Sequence, residues 1–382
     1  MEFVRIAITG VTGSIGTQTL EVLDFLKKKN FDFKLVGVSA GKNKEKLIEI
    51  IKKWKPEYAA IENANMESFD KTIIFSGKDS TIKMLEKSKP DFVLVATGGA
   101  AGIKYTIKSI EVAKRIGLAN KESIVCGGNM LLNYAREHST EIIPVDSEHS
   151  ALFQLKNGDT YPSKIIITAS GGALRDWPLN KLDEVTVKDV LNHPVWSMGK
   201  RITIDSATMV NKGLEVIEAY YLFNLKKENI DVLINRNSHI HAIVGYPDGV
   251  MKFHYGIPDM KIPIAYSITY PRRIYEYKFP DLTLAPIKFE EVDYNRYPAL
   301  KMAFDILGNQ KLQIVYNAAD EIAVKLFLEK KIKYTDIYKL IYQTIDKFIN
   351  RNIKISEFSD IIDLDKEIKK ITKMNYKEIL ER

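Results

Sequence analysis

One cysteine, Cys126, stands in the whole sequence, which excludes an intrachain disulfide and any metal centre built from several thiolates, and fits a reducing compartment. No uninterrupted apolar run approaches the roughly 18 residues a membrane span needs. Met1 leads almost directly into the strand-like FVRIAITG, so no signal peptide is read and a bacterial cytoplasmic location is expected rather than an organellar precursor. There is no basic run interleaved with aromatics, no zinc-finger spacing, no RNA-binding signature and no recognition helix. Nucleic acid is therefore not an expected partner. Internal repeats are absent as well.

The 382 residues exceed one ordinary core and suggest two or three domains, with the 45% hydrophobic and 27% charged composition of a globular protein. The net charge of +7 is scattered over Lys-rich helical stretches such as GKNKEKLIEIIKKWK, so it reads mainly as solvated surface with a weak field favouring anionic small molecules. Up to residue 146, short β-rich runs alternate with amphipathic ones: VRIAITG, TQTLEVLDFLKKK, FKLVGVSA, KEKLIEIIKKW, DFVLVATGG. That rhythm predicts α/β architecture opening with a doubly wound parallel, Rossmann-like sheet over 1–146. Residues 147–269 read as a central α+β domain. A Pro- and Tyr-containing connection over 270–297 precedes a C-terminal helical bundle over 298–382.

GVTGSIG, Gly10 to Gly16, follows the first strand and opens the first helix, the context a phosphate-binding turn requires. Glycines let backbone approach a pyrophosphate, and the helix N-terminus supplies free N–H donors. The G-x-x-G-x-x-G spacing also suits a tight strand-to-helix turn with no ligand. After the second strand stand Gly41, Lys42 and Asn43 instead of the acid that usually holds NAD ribose hydroxyls. A lysine there favours NADPH, unless Lys42 is one more surface lysine.

In VDSEHSA, Asp146 and Glu148 share a face if the preceding IIP run continues as a strand. Two carboxylates about 7 Å apart repel by about 2.5 kcal/mol at an effective dielectric near 20, which a cation would relieve. By itself such a pair reads as a solvated loop, and a metal site needs a third ligand. The 28-residue block NHPVWSMGKRITIDSATMVNKGLEVIEA, residues 192–219, supplies a candidate. On a helix, Asn211, Lys212 and Glu215 fall on one side, with Ser206 near its start, presenting donors to a phosphate and a carboxylate to a metal. The same spacing also describes a plain surface ion pair.

Taken together, TGSIG, AGKN, LANKES, VDSEH, ASGGA, the 28-residue block, IPDMKIPIAY and NAADEIAV resemble, in order and over nearly the whole chain, the 1-deoxy-D-xylulose 5-phosphate reductoisomerase family. The resemblance implies an NADPH- and metal-dependent rearrangement and reduction of 1-deoxy-D-xylulose 5-phosphate to 2-C-methyl-D-erythritol 4-phosphate in non-mevalonate isoprenoid biosynthesis. It implies that Asp146, Glu148 and Glu215 hold one Mg²⁺ or Mn²⁺, a hard ion that oxygen-only ligands independently favour. Ser170, Ser206, Asn211 and Lys212, helped by His193, would bind the phosphate, while Ser147, Lys121 and Asn211 would meet the substrate's polar backbone; Ser238 and His241 are kept from the family pattern. HPVWSMG would form a flap in which Trp196 and Met198 close over the substrate. Thr12, Gly13, Ser14, Ile15, Gly41, Lys42, Asn43, Asn120, Glu122, Gly199 and Met260 match cofactor contacts. A homodimer is implied too.

Three departures from the family pattern stand out: Val11 for serine, Ser150 for asparagine, and Asn235, Arg236 and Asn237 where His-Pro-Gln is usual. Two other readings stay open at this level. One is another NADP-dependent dehydrogenase with a G-x-T-G turn, although Cys126 reads as a buried hydrophobe and not as a nucleophile. The other is an NADPH sensor without turnover.

Overall fold

Seven short apolar strands build the first sheet of the computed structural model, which describes residues 3–156, 162–192, 194–196, 199–283 and 287–381. They are β1 (Val4–Thr9), β2 (Phe33–Ala40), β3 (Tyr58–Ile61), β4 (Ile73–Ser76), β5 (Phe92–Val95), β6 (Arg115–Leu118) and β7 (Glu141–Pro144). Helices α1 (Ser14–Lys28), α2 (Lys44–Trp54), α3 (Ser80–Ser88), α4 (Ile103–Val112) and α5 (Lys121–Glu137) connect them. Every pairing in this sheet is parallel and the order is β4-β3-β2-β1-β5-β6-β7. Strands such as β5, buried at all four positions, have no wet face, because helices must cover both sides of a parallel sheet. The winding reverses between β1 and β5. In open α/β sheets the crevice beyond the strand ends at such a reversal is where ligands bind.

The second sheet runs β11-β10-β8-β9, from β8 (Lys164–Ala169), β9 (Ile230–Ile234), β10 (Ile240–Gly245) and β11 (Met251–Tyr255). β8 and β9 are parallel, whereas β10 is antiparallel to both β8 and β11. With it go α6 (Ser147–Leu155), α7 (Val187–Val190), α8 (Lys200–Thr208) and α9 (Val210–Leu222). After α10 (Lys261–Thr269), the helices α11 (Pro298–Asp305), α12 (Gln310–Leu328), α13 (Tyr334–Ile349) and α14 (Phe358–Leu380) form the helical region expected from sequence.

Two units result. The first is the chain up to Ser123, with Leu131–Ser150 and Asp259–Lys278; the second is Ile124–Met130, Ala151–Pro258 and the chain from Phe279 onward. Sequence order groups α10 with residues 147–269. In the structure its Ile264, Ala265 and Ile268 are buried in one core with Leu20, Leu23 and Phe92 of the first unit. Apolar burial, not chain order, decides that membership. In the second unit, Ala151 and Leu152 share a core with Val216 and Ala219 of α9 and with Ile165 and Ile167 of β8. No helix among the described residues is long and apolar enough to cross a membrane.

Candidate active site

In the first unit, the turn after β1 is shaped by close approach. A Cβ on Gly10, whose φ is +68°, would lie 2.8 Å from the Ala96 carbonyl oxygen beyond β5, and one on Gly16 would lie 2.5 Å from the Gly10 oxygen. Glycine is therefore required for α1 to start tight against the strand ends. Gly13 occupies the N-cap of α1 without a side-chain cap, and the first turn holds no acid. Free amides at a helix N-terminus and the dipole's positive end favour an anion there. Lys46 Nζ donates to the Thr12 carbonyl at 3.1 Å, and Asn43 caps α2 by accepting from the Lys46 N–H at 3.1 Å. The structure thus brings Thr12 beside the loop of Gly41, Lys42 and Asn43, whose side chains are exposed.

Asn120 and Glu122 brace the turn after β5. Asn120 caps α5 by accepting from the Ser123 N–H at 3.1 Å, while its amide donates to the Gly99 carbonyl at 3.0 Å and to Glu122 at 2.9 Å; Glu122 accepts from the Gly99 N–H at 2.9 Å. Met260, just before α10, packs against the first core alongside Ile15 of α1.

At the sheet's other flank the strand ends at Pro144 and α6 opens at Ser147. The strand alternation read into VDSEH therefore gives way to a strand-to-helix turn. Asp146 stands just ahead of α6 and Glu148 in its first turn, because the Ser150 N–H already bonds the Asp146 carbonyl in helical fashion at 2.7 Å. Ser147 donates its N–H to Asp146 Oδ1 at 3.1 Å and its hydroxyl to Glu148 at 2.5 Å. Lys121, first residue of α5, places Nζ 2.5 Å from Asp146 Oδ2. His149, to which the sequence reading gave no role, is fully buried with Nδ1 3.8 Å from the same oxygen. Its i,i+3 spacing from Asp146 was the available signal.

In the second unit, the block at 199–219 is two helices rather than one. Met209 adopts the left-handed conformation, φ 59°, so α8 ends and α9 starts anew. Ser206 belongs to α8, and Asn211, Lys212 and Glu215 to α9. The latter three meet as the helical spacing predicts: Asn211 donates to Glu215 Oε1 at 2.5 Å and Lys212 donates to Glu215 Oε2. This is no surface pair, since the side chains of Lys212 and Glu215 are 5% and 1% exposed. Ser170 follows β8, and its Oγ accepts from the Gly172 N–H at 3.1 Å. A Cβ on Gly172, φ +70°, would fall 2.6 Å from the Ser206 carbonyl oxygen, so this loop lies directly on α8 and joins Ser170 to Ser206.

His241 on β10 is buried with its ring 6.4 Å from Trp196 and 5.6 Å from His254. Burial first, then the neighbouring His239 and Lys212, hold its imidazole down at about 4, so it is neutral near pH 7. Gly199 caps α8 with open space around its α-carbon. His193 and Met198 lie outside the described residues.

Family models for 1-deoxy-D-xylulose 5-phosphate reductoisomerase match residues 6–128, and models of that enzyme's C-terminal domains match 142–223 and 255–371. The Thermotoga maritima 1-deoxy-D-xylulose 5-phosphate reductoisomerase is 44% identical, with 91% of each chain covered. The chain belongs to the 1-deoxy-D-xylulose 5-phosphate reductoisomerase family. A second member, from Clostridium perfringens, is 40% identical over 96% of this chain and 97% of its own. The crystal structure of a DOX-P reductoisomerase in complex with NADPH, fosmidomycin and magnesium superposes with a TM-score of 0.91 at 34% identity, covering 98% of each chain. The Zymomonas mobilis reductoisomerase in complex with NADPH gives 0.88 at 34% identity, covering 98% and 99%.

Asn235 and Arg236 are held by local contacts. Asn235, 1% exposed, donates to the Lys288 carbonyl at 3.0 Å and accepts from the Ile240 N–H at 3.1 Å, closing the β9–β10 turn. Arg236 reaches Glu290 at 2.7 Å and Asp176 at 2.8 Å, and this guanidinium holds both carboxyls below their ordinary values. The β9–β10 turn thus has hydrogen bonds of its own.

Proposed function

We propose that this chain carries out the NADPH- and divalent-metal-dependent conversion of 1-deoxy-D-xylulose 5-phosphate to 2-C-methyl-D-erythritol 4-phosphate, in the formation of isoprenoid precursors. Family membership leaves the other dehydrogenase and the silent sensor without support. The observation that carries the reading is the buried Asn211–Lys212–Glu215 cluster on α9. A buried ion pair is expensive to hold in a fold for its own sake, so its retention is best explained by ligands of both signs. Phosphate is the partner for Lys212 and a cation the partner for Glu215.

Residues 1–146, joined by α10, carry the cofactor, the rest of 147–269 the chemistry, and 298–382 the helical support. Asp146, Glu148 and Glu215 hold Mg²⁺ or Mn²⁺; they offer carboxylate oxygens alone, the donor chemistry of a hard ion. When bound, the ion supplies Lewis-acid polarisation of the substrate's ketone and neighbouring hydroxyl. NADPH supplies the hydride for the reductive stage. Thr12, Gly13, Ser14 and Ile15 would hold its pyrophosphate and Gly41, Lys42 and Asn43 its 2′-phosphate, while Asn120, Glu122, Gly199 and Met260 would supply further cofactor contacts.

Ser170, Ser206, Asn211 and Lys212, with His193, anchor the phosphate. Ser147 and Lys121 orient the carbon chain, which converts a demanding geometry into a positioned one. Neutral His241 offers a ring nitrogen without adding charge beside Lys212. Trp196 and Met198 cover the bound substrate and exclude water that would protonate a carbanionic intermediate prematurely. The enzyme works as a cytoplasmic homodimer.

The test follows NADPH absorbance with 1-deoxy-D-xylulose 5-phosphate, with and without Mg²⁺ or Mn²⁺, for the wild type and Glu215→Gln. Metal-dependent oxidation that the variant loses by about 100-fold or more is expected, since outer partners of metal ligands alone are worth up to about 100-fold. NADPH bound but never oxidised by the wild type would sink the reading.

A further inference from the structure

Two buried tyrosines, Tyr297 at the N-cap of α11 and Tyr334 of α13, 126 and 127 residues away along the chain, end on the backbone that carries Ser170 and Ser206. Tyr297 donates its hydroxyl to the Gly171 carbonyl at 2.9 Å, and Tyr334, in the first turn of α13, donates to the Ala207 carbonyl at 2.7 Å. Each serine is therefore followed by a residue whose carbonyl is held by a phenol. Burial pushes the Tyr297 phenol up to about 12 and the Tyr334 phenol well above its ordinary value, so both remain protonated donors at any working pH.

Arginines hold the rest of the same loop. Arg296 donates one Nη1 to the carbonyls of Leu174, at 3.0 Å, and Trp177, at 2.7 Å. Arg175 donates to the Ser170 carbonyl at 2.8 Å and to that of Arg236 at 3.0 Å. Four carbonyls between Ser170 and Trp177 thus point into side-chain donors. A carbonyl oxygen turned toward a phosphate would repel it, whereas one tied back by a phenol or guanidinium turns its peptide's N–H the other way.

We propose that Tyr297 and Tyr334, with Arg296, are positioning residues for the substrate's phosphate: they fix the Ser170 loop and the Ser206 end of α8 against each other so that both hydroxyls meet one anion. Gly172, with no room for a Cβ above Ser206, is where the two segments touch. The inference rests on the phosphate role given above to Ser170 and Ser206. It assigns to α13 and to the end of the connection that enters α11 a share in substrate affinity.

The experiment measures kcat, KM for 1-deoxy-D-xylulose 5-phosphate, NADPH affinity and thermal midpoint for Tyr297→Phe and Tyr334→Phe. Leaving one buried carbonyl without its donor is expected to raise KM for the substrate about 5- to 20-fold, with kcat within about threefold and NADPH affinity unchanged. Combining Tyr297→Phe with Ser170→Ala, and Tyr334→Phe with Ser206→Ala, is expected to give KM effects well short of the product of the single ones, because each pair acts on one contact. A lowered midpoint with unchanged KM, or fully multiplicative double variants, overturns the inference and leaves plain structural roles. Should a Phe variant not fold, Arg296→Lys carries the same test, since an ammonium cannot reproduce the guanidinium's fixed fork. A wild type that oxidises no NADPH with this substrate overturns the proposed function itself; an active wild type with unmoved KM values in the variants overturns only the positioning role.

Discussion

Lys121 Nζ lies 2.5 Å from Asp146 Oδ2, joining the first residue of α5 to the turn after β7, and the two side chains are only 12% and 16% exposed. An ammonium so placed competes with any cation for the same carboxylate. Lys121→Met is expected to tighten Mg²⁺ binding while lowering turnover about 10- to 100-fold, the usual scale for a partner of a metal ligand. Calorimetric Mg²⁺ titration beside steady-state rates checks this. Weaker Mg²⁺ binding in the variant would show that the ammonium orients Asp146 instead of competing for it.

Lys42 is exposed in the loop between β2 and α2, with no acid in the place where one would hold an unphosphorylated ribose. Lys42→Ala is expected to raise KM for NADPH about tenfold and to leave that for NADH within about twofold, the scale of one charge-assisted contact. The NADPH effect is expected to shrink at high salt. Equal losses for both nucleotides would remove the 2′-phosphate from the argument.

His241 sets a pH dependence of stability. Its folded-state pKa is lowered to about 4, chiefly by burial, while the unfolded imidazole titrates near 6.5. Below pH 6.5 the unfolded chain takes up a proton that the folded chain refuses, so this contribution is complete above that pH and is lost as pH falls toward 4. Between pH 7.5 and pH 5 the wild type is expected to lose about 2 kcal/mol that His241→Gln does not lose. Urea unfolding of both proteins at the two pH values measures it; parallel losses would mean that the ring is protonated in the fold.

Gly172 combines a φ of +70° with a Cβ position 2.6 Å from the Ser206 carbonyl oxygen. Gly172→Ala is expected to destabilise the chain by about 1–3 kcal/mol, the range for a non-glycine residue held in a sparsely populated conformation. Gly98, with nothing within 4 Å of its Cβ position, provides the control. Gly98→Ala is expected to stay within about 0.5 kcal/mol of the wild type. Comparable thermal shifts for both would contradict the close packing of the loop on α8.

Much of this was legible in the sequence because it is local. The apolar runs of β1 and β5, the glycines at 10 and 16 and the Asn211–Lys212–Glu215 spacing each depend on a few neighbouring residues, and periodicity reports them faithfully. The role of Arg236 was not legible, because its partners are Asp176 and Glu290, far away in the chain.

What only the tertiary structure decided is long-range or turns on one backbone angle. The left-handed Met209 splits a helix that side-chain spacing alone reads as continuous, moving Ser206 onto a separate element. Pro144 and the first turn of α6 convert a strand-like pair of acids into a helix-start turn. The segment with Met260 joins the first unit because its apolar face finds burial there. Tyr297, at the end of the 270–297 connection, and Tyr334, in the helical region, carry no sequence signal of a role; each becomes a donor to a serine-bearing segment only once the second unit's core closes over it. By itself, then, the sequence determined the family and the sheet, since residue types and short spacings carry these. The hydrogen bonds that hold the candidate site residues in place depend on which distant segments the burial of apolar surface brings together.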